Sequence, residues 1–323
     1  MIDSTTTQTP PEPPVPALEP SQQPIGFAAK LRDNSFVRLI VAIVVMVGAA
    51  IAFGSLVRVV LGKDFDKGQP GLEFLVDVLS MCVALGAYFA YVRWFERRSV
   101  DELSRRGALR ELAFGAMIGA VLLSATIAVM SMLDYYNVVG HNAALLALPV
   151  LGLSITSAVS EEIIMRAIFF RLVERALGTW IALALSALLF GLMHIGNPNA
   201  TWWTSGAIAI EAGILLGAAY VYTRRLWLVI GLHFAWNFFQ GGVFGVAISG
   251  HDVQGLLRAE IAGPELLTGG AFGAEASVLA LLFCLSAGIA FVVVAQRQGK
   301  FIRPFWRREP AAALSPALER SSP

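Results

Sequence analysis

Two glutamates and an arginine stand where the chain is otherwise strongly apolar. Glu161, Glu162 and Arg166 directly follow an uninterrupted run of uncharged, mostly apolar residues, 143–159. On a helix, Glu162 and Arg166 are four residues apart on one face, so they can form an ion pair. Glu161 points about 100° away and has no counter-charge nearby in the sequence. Such a carboxylate must find its partner on another element, and it is a candidate general base.

Two further motifs place other polar side chains in apolar segments. Phe190-x-x-x-His194 carries one histidine, and His233-x-x-x-Asn237 carries a histidine and an amide on one helical face. Each residue alone has a structural explanation, because intramembrane histidines and asparagines commonly hydrogen-bond neighbouring helices. Together with a carboxylate, however, two imidazoles and an amide can activate water and stabilise an oxyanion. The joint pattern therefore favours a hydrolytic site.

The remaining polar groups in or near apolar segments give weaker signals. Glu211 is expected to bond to a neighbouring helix, although a supporting role in the site is the alternative. Glu73 and Asp77 lie near a span end, where they can reach water. His141 and His251 fall in connections, where a solvated histidine is expected.

The composition predicts an integral membrane protein. The 323 residues are 56% hydrophobic and only 15% charged, and the mean hydropathy is +0.67. This excludes an ordinary soluble enzyme. Both cysteines, Cys82 and Cys284, fall in apolar runs, so neither a disulfide framework nor a CxxC metal pair is expected. The expected surroundings are a lipid bilayer, with no nucleic-acid partner.

Apolar segments of about 20 residues predict an all-α, polytopic transmembrane bundle of about eight spans with the active site within the membrane. The spans are expected near residues 36–61, 73–94, 111–133, 149–172, 180–198, 204–222, 226–247 and 275–296. GxxxG spacings at Gly115 and Gly119, and at Gly213 and Gly217, predict close helix packing. Counting the rise along these spans puts His194 about two helical turns from His233, so a common site requires tilted helices or shifted boundaries.

The chain is expected to divide into five parts. These are a disordered cytoplasmic arm, spans one to three, a catalytic core of spans four to seven, an outer connection with span eight, and a basic and then disordered cytoplasmic tail: residues 1–35, 36–142, 143–247, 248–297 and 298–323. Arginines are concentrated in alternate connections, which places both termini in the cytoplasm by the positive-inside rule. A bacterial inner membrane is the expected location.

The three motifs, in this order on the fourth, fifth and seventh apolar segments, resemble the signature of the CPBP family. That family comprises the type II CAAX prenyl endopeptidases and bacterial relatives often labelled abortive-infection proteins or intramembrane metalloproteases. The resemblance extends over about 80 residues, from Ser160 to Asn237, with every motif position filled. It implies an intramembrane endopeptidase acting on a peptide or protein substrate. In the eukaryotic relatives the reaction removes the last three residues after a prenylated cysteine.

The resemblance also implies roles for the motif residues. Glu161 would polarise the attacking water with help from His194, and His233 and Asn237 would hold the tetrahedral oxyanion. Glu162 and Arg166 would brace the site. The sequence does not choose the natural substrate or the oligomeric state.

Other interpretations stay open. A metal-independent site is favoured because the chain has no HExxH motif, but Glu161, His194 and His233 could instead hold a zinc ion. A membrane transporter is the main rival, because an intramembrane cluster of Glu, His and Asn would also suit one. A non-catalytic membrane scaffold that keeps the motif for packing is the third possibility.

Overall fold

A computed structural model describes residues 33–63 and 68–307 of the chain. Residues 1–32 of the predicted arm and 308–323 of the predicted tail lie outside the described residues. The α-helices, in chain order, are α1 (Ser35–Leu61), α2 (Pro70–Ala90), α3 (Ala108–Met132), α4 (Leu148–Glu162), α5 (Arg171–Leu177), α6 (Thr179–Met193), α7 (Trp202–Ile208), α8 (Leu215–Thr223), α9 (Leu226–Asn237), α10 (Glu265–Thr268) and α11 (Val278–Arg297). Segments of π-helix continue four of them, at Tyr91–Glu96, Ile163–Phe170, Ala209–Ile214 and Phe238–Val243.

The predicted all-α membrane bundle is confirmed. Within the described residues, six helical stretches are long and apolar enough to cross a membrane, namely Ser35–Leu61, Pro70–Glu96, Ala108–Met132, Ala144–Leu177, Trp202–Thr223 and Val278–Arg297. Two of the predicted spans correspond to shorter helices. The prediction at 180–198 overlaps α6, which has 15 residues. The prediction at 226–247 overlaps α9, which has 12 residues and continues as π-helix.

A small antiparallel sheet was not predicted from the sequence. Strands β1 (Tyr136–His141) and β2 (Leu257–Ile261) pair with each other in two connections that were expected to be irregular. Hairpin signals in a sequence depend on a short turn between two strands. Here more than 100 residues separate the partners, so no local signal exists.

The arginine-rich connections meet at one end of the bundle. Arg224 and Arg225, between α8 and α9, donate hydrogen bonds to the backbone carbonyl oxygens of Lys300 and Ser104, respectively. The connections before α3, between α8 and α9, and after α11 therefore contact one another. The alternation of basic and non-basic connections noted in the sequence thus corresponds to two distinct ends of the molecule.

Helices α3 and α9 approach each other at backbone distance. A Cβ atom built at Gly115 would lie 2.0 Å from the Leu228 carbonyl oxygen, and one at Gly231 would lie 2.1 Å from the Leu112 carbonyl oxygen. Contacts this short exclude any side chain, which confirms close helix packing at Gly115. Helix α9, which carries the third motif, is therefore held directly against α3.

Candidate active site

All four predicted catalytic residues line one cavity of about 320 Å³. Glu161 comes from the last turn of α4, and His194 directly follows α6. His233 and Asn237 come from α9, one helical turn apart. Three elements that are separate in the sequence therefore bring these side chains to a common cavity.

The predicted ion pair is present and fully buried. Arg166 Nη1 lies 3.1 Å from Glu162 Oε1, and both side chains are 0% exposed. Arg166 Nη2 also donates to the Ala212 carbonyl oxygen at 3.3 Å. The same Glu162 oxygen lies 3.0 Å from His233 Nδ1. The pair therefore links α4 to α9 and to the π-helical segment Ala209–Ile214 that follows α7.

Glu161, unlike Glu162, is partly exposed and has no charged partner within hydrogen-bond distance. Its side chain is 27% exposed, and its Oε2 lies 3.9 Å from His233 Nε2. That distance is too long for a hydrogen bond, and Oε2 has no hydrogen-bond partner among the described residues. A water molecule can bridge two groups at such a separation. The described residues therefore leave one glutamate oxygen in the site without a hydrogen-bond partner.

Hydrogen bonds assign the proton positions of both histidines. The Glu162 carboxylate can only accept, so His233 Nδ1, 3.0 Å away, is the donor. The Phe190 carbonyl oxygen, 2.8 Å from His194 Nδ1, can likewise only accept. Nε2 is therefore the atom through which each ring can exchange a proton or bind an oxygen.

The phenylalanine of the second motif packs between the charged and imidazole groups. The Arg166 guanidinium carbon lies 4.8 Å from the centre of the Phe190 ring, a cation–π contact. The ring centres of His194 and His233 lie 5.0 and 6.2 Å from that of Phe190. Because Phe190 is buried, it fixes the separation of the two histidines.

Asn237 is oriented by a residue that the sequence analysis missed. Its Nδ2 donates to Ser157 Oγ at 3.2 Å. An amide nitrogen carries two hydrogens, so the second one remains for another acceptor. Ser157 lies one turn before Glu161 on α4 and also lines the cavity.

Glu275 and its partners were also missed. Glu275 Oε1 accepts hydrogen bonds from the backbone nitrogen of Ser249 at 2.5 Å and from its hydroxyl at 3.0 Å, and the other oxygen accepts from Gln240 Nε2. The sequence analysis treated Glu275 only as the start of the last span and named neither of the other two residues. His251, expected to be solvated, is exposed but also lines the cavity.

The helix predicted over 180–198 ends at Met193, and His194 is its C-cap residue. The histidine therefore sits at the helix end opposite the arginine-rich connections. Helices α6 and α9 begin within one residue of the predicted starts, so shifted starts do not account for the shared cavity, and tilted helices remain the expectation.

The donor set does not have metal-site geometry. Within residues 33–63 and 68–307, no group of three or more His, Cys, Asp or Glu side chains is placed to hold a metal ion. The choice between a metal-independent site and a zinc site at Glu161, His194 and His233 stays a prediction.

The fold and the site together define a polytopic helical membrane protein with a glutamate, two histidines and an asparagine around one cavity. Residues 142–239 match the family model described as type II CAAX prenyl endopeptidase Rce1-like. This match supports the resemblance to the CPBP family, and all three motifs lie inside it. No curated protein matches the chain. At the level of the family, the match supports an intramembrane endopeptidase of the CAAX type that acts on a protein or peptide substrate.

Proposed function

We propose that this protein is a metal-independent intramembrane endopeptidase in which Glu161 activates the attacking water. The observation that carries the proposal is the contrast between the two adjacent glutamates. Glu162 is fully buried, and its Oε1 contacts both Arg166 and His233, whereas Glu161 is 27% exposed, lines the cavity and has an Oε2 without a hydrogen bond near His233 Nε2. A general base needs an available oxygen within hydrogen-bond reach of the water.

The first step is attack on the scissile carbonyl. A water held between Glu161 and the Nε2 atom of His194 gives its proton to the Glu161 carboxylate as its oxygen bonds to the carbonyl carbon. Glu161 then returns this proton to the leaving amine when the carbon–nitrogen bond breaks, so protons balance over the cycle. His194 Nε2 can accept a hydrogen bond from this water, because the ring proton is on Nδ1, which donates to the Phe190 carbonyl oxygen.

The second requirement is stabilisation of the oxyanion. Asn237 has an N–H beyond the one it donates to Ser157, and His233 can donate from Nε2 when both ring nitrogens are protonated. A doubly protonated ring is charge-balanced here, because Glu162 and Glu161 lie on its two sides at 3.0 and 3.9 Å. Removing one oxyanion donor typically costs about 10²–10³ in turnover.

Cleavage of internally quenched peptides by the purified protein in detergent tests this proposal. The variants are Glu161→Gln, which removes the base, and Glu260→Gln, an exposed glutamate of β2 that serves as the matched control. We expect turnover in the wild type and in the control, and loss in Glu161→Gln without loss of folding. Peptides with and without a lipidated cysteine determine whether the substrate is lipidated.

A chelator separates the two mechanisms. Turnover that continues after metal removal agrees with a glutamate-activated water. Turnover that is lost with the chelator and returns with zinc contradicts the metal-independent mechanism. Ion or solute flux in proteoliposomes that depends on Glu161, without any peptide cleavage, would instead identify a transporter.

The proposed location is a bacterial inner membrane with both termini in the cytoplasm. The meeting of the arginine-rich connections at one end of the bundle supports this orientation. The connections that reach the cavity, including His251, lie at the opposite end. A single cysteine introduced at Glu260 should react with a membrane-impermeant reagent added outside spheroplasts. Labelling only after lysis would reverse the proposed topology.

A further inference from the structure

Apart from the histidines, the ionisable side chains that define the charge of the cavity are acidic. Glu161, Glu211 and Glu275 all line it, and none of the described residues that line it is a lysine or an arginine. The nearest cation of the motifs, Arg166, is fully buried, directed at Glu162 and the Ala212 carbonyl oxygen. Apart from the histidines, the cavity therefore offers carboxyl groups and no fixed positive charge to a ligand.

The three carboxyl groups are not equivalent. Glu275 is satisfied, because both of its oxygens accept hydrogen bonds from Ser249 or Gln240. Glu161 is the proposed base that accepts a proton from the attacking water. Glu211, on the π-helical segment after α7, is only 2% exposed, and its Oε2 has no hydrogen-bond partner among the residues described.

An unpartnered carboxyl group in a buried site is costly unless something supplies a partner. The Cys284 thiol of α11 provides Glu211 with one weak hydrogen bond, and the free oxygen remains. A primary amine or guanidinium from a bound peptide would supply both a hydrogen bond and the opposite charge. A free C-terminal carboxylate would instead meet only carboxyl groups, histidines and uncharged groups.

We propose that Glu211 is a specificity-determining residue that binds a lysine or arginine side chain of the substrate, and that the cavity takes an internal peptide segment instead of a chain end with its free carboxylate. This inference rests on the proposed peptidase function and specifies its substrate class. It departs from the removal of a C-terminal tripeptide that the family resemblance implies for eukaryotic relatives.

Matched peptides test the inference. One series moves a lysine through the four positions on either side of the cleaved bond, with norleucine as its neutral isostere. A second series ends one to three residues after the cleaved bond, either as a free carboxylate or as an amide. Wild type, Glu211→Gln and the exposed control Glu260→Gln are compared by kcat and KM.

We expect a lysine preference in kcat/KM on the order of tenfold or more at one position, as for a charge-assisted hydrogen bond. Glu211→Gln should abolish that preference, because it should lower kcat/KM for the lysine peptide much more than for the norleucine peptide. Free carboxylates close to the cleaved bond should be poorer substrates than the amides. Equal cleavage of lysine and norleucine peptides, an equal loss for both in Glu211→Gln, or efficient cleavage next to a free carboxylate would overturn the inference.

A binding measurement keeps this test separate from the proposed function. Trp236 lines the cavity and is one of seven tryptophans, so the part of the fluorescence change that is lost in Trp236→Phe reports peptide binding to the inactive variant Glu161→Gln. Tighter binding of the lysine peptide that disappears in Glu161→Gln/Glu211→Gln supports the inference even where turnover fails. Turnover that depends on Glu161 without any lysine preference leaves the peptidase function intact and removes the role of Glu211.

Discussion

Replacing each of the adjacent glutamates with glutamine should give opposite results, although the two substitutions are chemically identical. Glu162→Gln removes a charge from a pair whose members are both 0% exposed, and it leaves Arg166 buried without its counter-ion. Breaking a buried pair in this way costs about 3–5 kcal/mol. The variant should also lose activity, because a neutral amide oxygen replaces the carboxylate charge that stabilises a doubly protonated His233 ring.

Glu161→Gln should be nearly neutral for stability. The glutamate is partly exposed, and its closest charged neighbour in the site, His233, lies 3.9 Å away. A partly exposed pair of this kind contributes less than about 1 kcal/mol. The loss should therefore fall on turnover alone, since the water loses its base.

Reversible unfolding in mixed detergent micelles measures the free energy of unfolding, and peptide cleavage measures activity. The double variant Glu162→Gln/Arg166→Met removes both charges, so it should recover most of the stability lost in Glu162→Gln while activity stays low. Equal stability loss in the two single variants would refute this reasoning, as would an active Glu162→Gln.

Three further results are expected. Gly231→Ala should lower stability by about 1–3 kcal/mol and should also lower turnover, because the new Cβ would meet the Leu112 carbonyl oxygen and push α9 away from α3. Gly86→Ala, at an open position of α2, is the control and should be neutral or stabilising in thermal unfolding. Ser157→Ala should lower kcat about three- to tenfold with little change in KM, since Asn237 loses its partner; an unchanged kcat would remove the positioning role. Burial raises the pKa of Glu102, but the hydrogen bond and charge of Arg98 outweigh burial and hold that pKa below the ordinary value of 4.5. Glu102 therefore contributes stability that is present above pH 4.5 and is lost as the pH falls. The difference in unfolding temperature between wild type and Glu102→Gln should shrink below that pH. A difference that stays constant with pH would contradict this prediction.

The sequence could predict those parts of the site that follow from local spacing. Ionisable residues in apolar segments are rare enough to mark Glu161 and His233, and the helical repeat alone pairs Glu162 with Arg166. The separation of roles between the two glutamates also follows from the 100° step between neighbours. Convergence of the three motifs did not follow from spacing and depended on the family resemblance.

Other parts of the site had no signal in the sequence. Ser154 and Ser160 donate to backbone carbonyl oxygens one turn earlier on α4, at 2.7 and 2.6 Å, as helical serines commonly do. Ser157, between them, accepts the hydrogen bond of Asn237. Nothing in the order of residues separates the serine that reaches another helix from the two that do not. The same holds for β1 and β2, whose pairing depends on the packing of the helices between them.

The site also depends on parts of the chain that the family match does not cover. Helix α3 precedes residues 142–239, yet a Cβ built at Gly119 of α3 would lie 2.2 Å from the Leu232 carbonyl oxygen, next to His233. Glu275 follows the match and holds Ser249 at the cavity wall. The motifs therefore supply the proposed reacting groups, whereas the position of α9 and the wall of the cavity depend on the spans before and after them. Because these flanking elements shape the space around a common set of reactive side chains, substrate choice can differ among proteins that share the motifs.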